Sequence, residues 1–159
     1  IPFDYQDYKY VYDNTTPHTQ FYKKYKEYVT SEGYMILKKD NKWGYLSYPS
    51  QEVLIPFDYS DIEVMNVANG EIKAAKNGKW GLINLDNEIL INFEYEDLDE
   101  EKEGMRAFKK DGLWGYMDEN GKEVIEPRFN YKSKFYDGKA YVNENGSYIY
   151  INKRGKTVN

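Results

Sequence analysis

The stretch KKDGLWGYMDENGKEVIEPRF, from Lys109 to Phe129, contains a Trp-Gly pair, two turn signals and a Val-Ile pair. The Trp-Gly pair occurs in three segments, KWGYL at Trp43, KWGLI at Trp80 and LWGYM at Trp114. A glycine lies ten residues before each of these tryptophans, and a fourth glycine lies ten residues before Tyr148. These glycines are Gly33, Gly70, Gly104 and Gly138. Four matches at one fixed offset indicate an internal repeat.

Each repeat carries two turn signals. The pair just before each aromatic residue is Asp40-Asn41, Asn77-Gly78, Asp111-Gly112 or Asn145-Gly146. Such pairs tolerate the positive φ of a two-residue type I′ hairpin. A second turn follows at Pro49-Ser50, Asp86-Asn87, Asn120-Gly121 and Arg154-Gly155. Because a β-rich segment comes next, each repeat is predicted to be a three-stranded antiparallel meander.

The hairpin turns also fix which residues lie opposite one another. The predicted pairs are Lys109 with Trp114, Phe108 with Gly115, Leu37 with Gly44 and Val142 with Ile149. A glycine inside a strand indicates that another group approaches closely, so the Trp-Gly pair is predicted to place a ring on one face and a groove on the other. The central strands are apolar on both faces, which predicts that neighbouring repeats cover them and bury the Trp rings.

The predicted fold class is all-β, with tandem three-stranded meanders in an open twisted array. A closed four-bladed propeller-like ring is the alternative, because Ile1 to Tyr5 matches the end of a third strand and the chain stops at the start of one. A length of 159 residues fits one domain, 1–159. Its predicted repeat units are about 6–59, 60–95, 96–131 and 132–159 plus 1–5.

Residues 6–30 form an insertion in the first repeat. Three tyrosines alternate near its start, as on a strand with one aromatic face. Further on, Phe21, Tyr25 and Tyr28 stand at i, i+4 and i+7 among lysines, which predicts one short amphipathic helix. This helix is expected either to cap an end of the array or to contact a partner. The predicted partner-binding residues are Tyr8, Tyr10, Tyr12, Tyr22 and Tyr25.

Composition excludes several classes of protein. The net charge is −5, which argues against a nucleic-acid partner. No apolar stretch approaches the roughly 18 residues of a membrane span, so direct membrane insertion is not expected. The first ten residues have neither a basic start nor an apolar run, so no signal peptide is predicted within them. Aromatic residues make up 18% of the chain, which favours packing or contact surface over acid–base chemistry.

No catalytic, cofactor or metal site is predicted. His18 is the sole histidine and cysteine is absent, so a zinc site and a nucleophilic triad both lack residues. The acidic run from Glu94 to Glu103 fails as a calcium loop, because the sixth position counted from Asp97 is Lys102 rather than glycine. We expect this run to be a solvated connector between repeats.

The motifs resemble a known family. Trp-Gly-aromatic, then Asn-Gly-Lys-Glu-Val-Ile, then Pro-x-Phe-x-Tyr is similar to the bacterial WG-repeat family, with Lys109 to Tyr131 the best unit. The resemblance covers nearly the whole chain, and Gly138 to Asn159 is its most degenerate part. It implies a tandem β-repeat module of a bacterial protein, often part of something larger, with the cell surface among the possible locations. The family has no common catalytic residues, so none is carried over.

The predicted function is a non-catalytic interaction module that presents a tyrosine-rich repeat surface to a protein partner. Repeat arrays offer extended surfaces, and tyrosine gives a large contact area with little entropy loss. A carbohydrate or cell-wall binding module is the alternative, and it would require flat, exposed Trp or Tyr rings once per repeat. A hydrolase would instead require a close pair of carboxylates in a cleft, and nothing in the placement of the acidic residues singles out such a pair.

Overall fold

The computed structural model describes residues 7–11, 33–48, 52–66 and 70–158, and the regular elements in these ranges are all β-strands. The all-β prediction is therefore confirmed. The strands are β1 (Asp7–Val11), β2 (Gly33–Lys39), β3 (Lys42–Tyr48), β4 (Val53–Tyr59), β5 (Asp61–Asn66), β6 (Glu71–Lys76), β7 (Lys79–Ile83), β8 (Ile89–Tyr95), β9 (Asp97–Leu98), β10 (Met105–Lys110), β11 (Leu113–Asp118), β12 (Glu123–Phe129), β13 (Tyr131–Lys132), β14 (Lys139–Glu144), β15 (Ser147–Asn152) and β16 (Thr157–Val158). The predicted helix near Phe21 to Tyr28 lies outside the described residues.

The strands form four antiparallel sheets, and each sheet takes four strands consecutive in the chain. The prediction of three strands per repeat is therefore wrong, because each sheet has a fourth strand. In the third sheet the additional strand is β9, where Leu98 lies opposite Phe108. In the fourth sheet it is β13, where Lys132 lies opposite Val142. Each of these two strands has only two residues, too few to show the alternation that marks a strand in sequence.

The hairpin turns are confirmed in all four repeats. In the third repeat φ is 51° at Asp111 and 78° at Gly112, as a type I′ turn requires. The matching pairs with positive φ are Asp40-Asn41, Asn77-Gly78 and Asn145-Gly146. The predicted register is confirmed as well, with Lys109 opposite Trp114, Phe108 opposite Gly115, Leu37 opposite Gly44 and Val142 opposite Ile149.

The glycine after each tryptophan leaves room for the last strand of the sheet to approach closely. In the third sheet residues 126–128 bulge opposite Gly115, between the partners of Trp114 and Tyr116. A Cβ atom on Gly115 would lie 2.6 Å from the carbonyl oxygen of Ile125, closer than such atoms approach. Two other glycines are as tightly placed, Gly44 at 2.9 Å from the Ile55 oxygen and Gly81 at 2.6 Å from the Ile91 oxygen. The groove predicted beside the Trp-Gly pair is thus filled by the chain itself.

In the second, third and fourth repeats the second turn is closed by the side chain that begins it. Asp118 Oδ1 accepts hydrogen bonds from the N–H groups of Asn120 and Lys122, both at 3.0 Å. The N–H of Gly121 also donates to the Asp118 carbonyl oxygen at 3.0 Å. Two further loops repeat this arrangement, Asn84 with Asp86 and Glu88, and Asn152 with Arg154 and Lys156. Short side chains of this type stabilise turns by bonding to nearby backbone.

The chain divides into two compact units, Ile1–Asn77 with Ile83–Ile89, and Gly78–Leu82 with Leu90–Asn159. The first unit contains a small cluster of Leu37, Leu46 and Phe57. The second contains a larger cluster, to which the third and fourth sheets both contribute: Met105, Ala107, Trp114, Tyr116, Ile125, Phe129, Phe135, Ala140, Val142, Ile149 and Ile151. The single-domain boundaries stay a prediction, as does the choice between an open array and a closed ring.

Candidate interaction surface

The fourth sheet has one face in the core and the other in solvent. Side chains alternate across a strand, and the hairpin of β14 and β15 therefore separates two sets of residues. The core side consists of Ala140, Val142, Ile149 and Ile151. The solvent side carries Tyr141, Tyr148 and Tyr150, which are 38%, 58% and 50% exposed. Tyr131 of β13 adds a fourth ring, 49% exposed.

These four residues, Tyr131, Tyr141, Tyr148 and Tyr150, are called the tyrosine face. The ring of Tyr141 stacks on that of Tyr148, with centroids 5.3 Å apart and planes 19° apart. Tyr141 also contacts Tyr150 at 5.0 Å, and Tyr131 contacts Tyr148 at 6.1 Å. Aromatic pairs in such arrangements stabilise one another by roughly 0.5–1.5 kcal/mol. The rings therefore form one continuous cluster with restricted rotamers.

Asn143 lies between two members of the tyrosine face. It stands opposite both Tyr131 and Tyr148 across the strands, and it is buried. Its Oδ1 accepts a hydrogen bond from the N–H of Gly146 at 3.2 Å. A buried amide group needs a hydrogen-bond partner, and this bond supplies one. It also fixes Asn143, beside the tyrosine rings, to the hairpin turn.

The opposite side of the fourth sheet packs on the third sheet, and Tyr116 is the centre of that contact. Its ring lies 5.0 Å from that of Phe135 in an edge-to-face arrangement. Its hydroxyl donates to the carbonyl oxygen of Ser133 at 2.7 Å. Burial, together with the nearby charge of Asp99, raises the pKa of Tyr116, so this hydroxyl keeps its proton. The tyrosine face is thus supported from below by a packed and satisfied core.

An ion pair also joins the two sheets. Asp99 accepts a hydrogen bond from Lys132 Nζ, and both side chains are largely buried. Burial alone would raise the pKa of Asp99, but the hydrogen bond and charge of Lys132 outweigh it and hold the pKa below its usual range. Lys132 Nζ lies 4.8 Å from the ring centroid of Trp114, which adds a cation–π contact. The acidic run is therefore structured at Asp99, and its interpretation as a solvated connector is wrong there.

A second carboxylate holds the turn that begins β14. Glu103 accepts hydrogen bonds from the N–H groups of Gly138, at 3.0 Å, and Asp137, at 2.8 Å. The bond from Gly138 is the main reason that the pKa of Glu103 is lowered. Lys153 Nζ lies 3.7 Å from the same carboxylate. Together with the Asp99 pair, this contact sets the position of β14 relative to the third sheet.

The predicted partner-binding residues fall in two places. Tyr8 and Tyr10 lie on β1, opposite Leu37 and Met35, so the strand predicted from their alternation is confirmed. The others, Tyr12, Tyr22 and Tyr25, lie outside the described residues. Whether any of the five contacts a partner stays a prediction.

The tyrosine face was not among the predicted contact residues, although the sequence carries a signal for it. The segment Tyr148-Ile149-Tyr150 alternates, and the confirmed hairpin register puts Tyr141 opposite Tyr150. On the side of the hairpin opposite to Val142 and Ile149, this register brings Tyr141, Tyr148 and Tyr150 together.

The tryptophans are less uniform than predicted. Trp43 is buried, as expected, at 6% exposure. Trp80 and Trp114 are only partly buried. The ring of Trp114 has a second lysine nearby, with Lys109 Nζ 5.8 Å from its centroid. Trp114 therefore lies at the margin of the core, where lysine chains cover it.

Two searches of the described residues gave no candidate. Among the residues that the structure describes, no group of three or more His, Cys, Asp or Glu side chains is placed to hold a metal ion. In the same part of the chain, no helix is long and apolar enough to cross a membrane.

An all-β chain whose four-stranded sheets recur with an aromatic-Gly signal is a β-repeat protein. Comparison with protein families gives a match to the WG containing repeat at residues 80–114 and again at 114–148. Residues 80–148 therefore match the WG-repeat family, as the motifs predicted.

Comparison with individual proteins adds little. Among solved structures the chain is similar to "KlHsv2 with loop 6CD replaced by a Gly-Ser linker", with a TM-score of 0.48 and 8% sequence identity. The similarity covers 78% of this chain and 46% of that one, so the chain spans less than half the length of that structure. The search of curated proteins gave no match.

Proposed function

We propose that the chain is a non-catalytic interaction module whose tyrosine face binds a protein partner. The observation that carries this proposal is the contiguous cluster of four exposed rings on a regular sheet. Isolated exposed apolar residues are ordinary on protein surfaces, whereas a contiguous patch indicates a contact site. The tyrosines of the insertion, Tyr8, Tyr10, Tyr12, Tyr22 and Tyr25, are a second proposed contact set.

The chemistry of the cluster supports a protein partner. Tyrosine combines a large apolar ring with a hydroxyl that both donates and accepts hydrogen bonds, and it is enriched where proteins meet. Because Tyr141 is already held against Tyr148 and Tyr150, binding would restrict these rings little further. Preorganised side chains lose less entropy on association.

The same geometry favours a protein over a glycan. Sugars stack on an open ring face, and the near-parallel contact between Tyr141 and Tyr148 occupies one face of each ring. The alternative requires exposed Trp or Tyr rings, but Trp43 is buried and Trp114 is covered by lysines. A carbohydrate or cell-wall binding module would thus depend mainly on the remaining faces of the tyrosine rings.

The proposal can be tested with the purified chain as bait in a lysate of its own organism. The double variant Tyr141→Ala/Tyr148→Ala removes the centre of the tyrosine face, and Tyr136→Ala is the matched control. Tyr136 is 79% exposed but makes no ring contact with the cluster. We expect a protein that is retained by the wild type and by the control and is lost from the double variant, by quantitative mass spectrometry.

A second arm addresses the glycan alternative. The wild type, the double variant and the Tyr136→Ala control are each sedimented with isolated cell-wall polysaccharide, with and without soluble sugars as competitors. Sedimentation of the wild type that the sugars abolish, together with loss in the double variant, would replace the protein partner by a glycan. Retention of the same proteins by all three baits would overturn the role of the tyrosine face.

A further inference from the structure

Resting on the proposed function, we infer that the partner of the tyrosine face is a second copy of this chain, packed face to face across a twofold axis. The inference concerns only Tyr131, Tyr141, Tyr148 and Tyr150 and the strands that carry them. Twofold pairing uses the same patch on both subunits, so the patch must complement itself in shape, area and chemistry.

The area of the face suits the centre of such an interface. With about 200 Å² for a tyrosine side chain, the four partly exposed rings present roughly 400 Å² of aromatic surface. A stable interface of ordinary size buries about 800 Å² on each partner. The rings therefore supply about half of one side, which matches an aromatic centre surrounded by a polar rim.

The chemistry of the face complements itself. A tyrosine hydroxyl is both a donor and an acceptor, so two identical sets of hydroxyls can bond to each other without a second kind of group. A twofold axis also places each central residue near its own copy, where like charges would repel. The residues registered beside the rings, Asn143 and Val158, are uncharged. Lys139 is displaced from the centre, at the start of β14.

The face is not shaped to receive another repeat in the way that the third sheet receives the fourth. At the position of the buried Ala107 the fourth sheet has Tyr141, whose ring fills the space above the sheet. This difference opposes the packing seen between the two sheets. A tyrosine surface that meets its own copy does not require a small residue at this position.

The test is sedimentation velocity of the wild-type chain over a wide range of concentrations, with three variants. Tyr148→Glu places like charges near the axis, Tyr141→Ala removes the central ring, and Tyr136→Ala is the exposed control outside the face. We expect the wild type and Tyr136→Ala to shift from one chain to two as concentration rises. Each of the other variants is expected to weaken self-association by about tenfold or more, as for residues at the centre of an interface.

Circular dichroism and thermal unfolding of each variant separate loss of pairing from loss of folding, and Tyr148→Ser replaces Tyr148→Glu if the charged variant unfolds. A wild type that stays monomeric at every concentration overturns the self-pairing, as does a dimer that survives both variants. Neither result affects the bait experiment, in which a different protein lost from the double variant would keep the proposed function. If the wild type neither pairs with itself nor retains a protein that the double variant loses, the proposed function is wrong.

Discussion

The third and fourth sheets have the same hairpin register, yet their equivalent residues lie in opposite environments. Tyr116 and Tyr150 occupy matching positions, and they are 1% and 50% exposed. The reason is that the fourth sheet covers the third, whereas nothing within the described residues of the second unit covers the tyrosines of the fourth. Position within a repeat therefore sets the direction of a side chain, and the neighbouring sheet sets its burial.

Residue type follows this difference. Small residues stand where the third sheet is closely approached, Ala107 under the next sheet and Gly115 under the bulge. At the position of Ala107 the fourth sheet has Tyr141. A small side chain at this position thus marks a face that the next sheet covers, and a large one marks the face on which the packing ends. Four measurements test this difference between the two sheets.

The largest expected effect is that of Tyr116→Ala. Removing a fully buried ring leaves a cavity and an unpaired carbonyl at Ser133, and it should lower the free energy of unfolding by about 3–5 kcal/mol. The matched variant Tyr150→Ala should cost less than about 1 kcal/mol. Urea denaturation of both proteins measures the difference, and equal losses would show that the two faces are not distinct.

Gly115→Ala should be the next most harmful change. The added methyl group would press on the Ile125 carbonyl oxygen, and moving the backbone away should cost about 2–3 kcal/mol. In the fourth sheet, Ile149→Val should cost only about 1 kcal/mol, because the site already accepts a branched side chain. The midpoint of urea denaturation measures both losses. A Gly115→Ala protein as stable as the wild type would contradict the close approach of the bulge.

Trp114→Ala should have a somewhat smaller effect. The ring is only partly buried and its lysine neighbours can rearrange, so a loss of about 2 kcal/mol is expected. Tyr148→Ala, at the equivalent position, should cost about 1 kcal/mol, since it loses ring contacts with Tyr131 and Tyr141 but little buried area. Thermal unfolding followed by circular dichroism compares the two. A loss at Tyr148 as large as that at Trp114 would indicate that the tyrosine face is needed for folding.

The smallest expected effect is on the dependence of stability on pH. Because the folded pKa of Asp99 is lowered, its contribution is fully present above the unfolded pKa, near 3.9, and is lost as pH falls through the folded value. Asp99→Asn should remove about 1 kcal/mol at neutral pH and flatten the decline below about pH 4. Glu100→Gln, which breaks a more exposed pair with Lys134, serves as the control. If the stability of Asp99→Asn declines at low pH as steeply as that of the wild type, Asp99 is not the source of the decline.

Local features of this fold were predictable from the sequence. The turn at Asp111-Gly112 depends on two adjacent residues that tolerate positive φ, and the register follows from it. The strand β9 was not predictable, since two residues carry no periodicity. Gly115 indicated a close approach, but the bulge that makes it depends on a strand that begins eight residues later.

The tyrosine face was only half predictable. The alternation at Tyr148 and Tyr150 shows that they share a side, as Trp114 and Tyr116 do. No local signal says which of these two tyrosine pairs a neighbouring sheet will cover, because burial here depends on packing between the third sheet and the fourth. The exposure of the face therefore required the structure.

The loops closed by Asp118 and Asn152 have a consequence for the order of events in folding. Each loop completes its hydrogen bonds within five residues, so it can form before any sheet finds its neighbour. Chains dominated by such short-range contacts fold quickly, and repeat arrays can nucleate at any unit and then propagate. The fourth sheet has one face in solvent, so it gains the least stability when neighbouring sheets pack. Its backbone amides, from Tyr148 to Ile151, should accordingly exchange with deuterium sooner than those of β11.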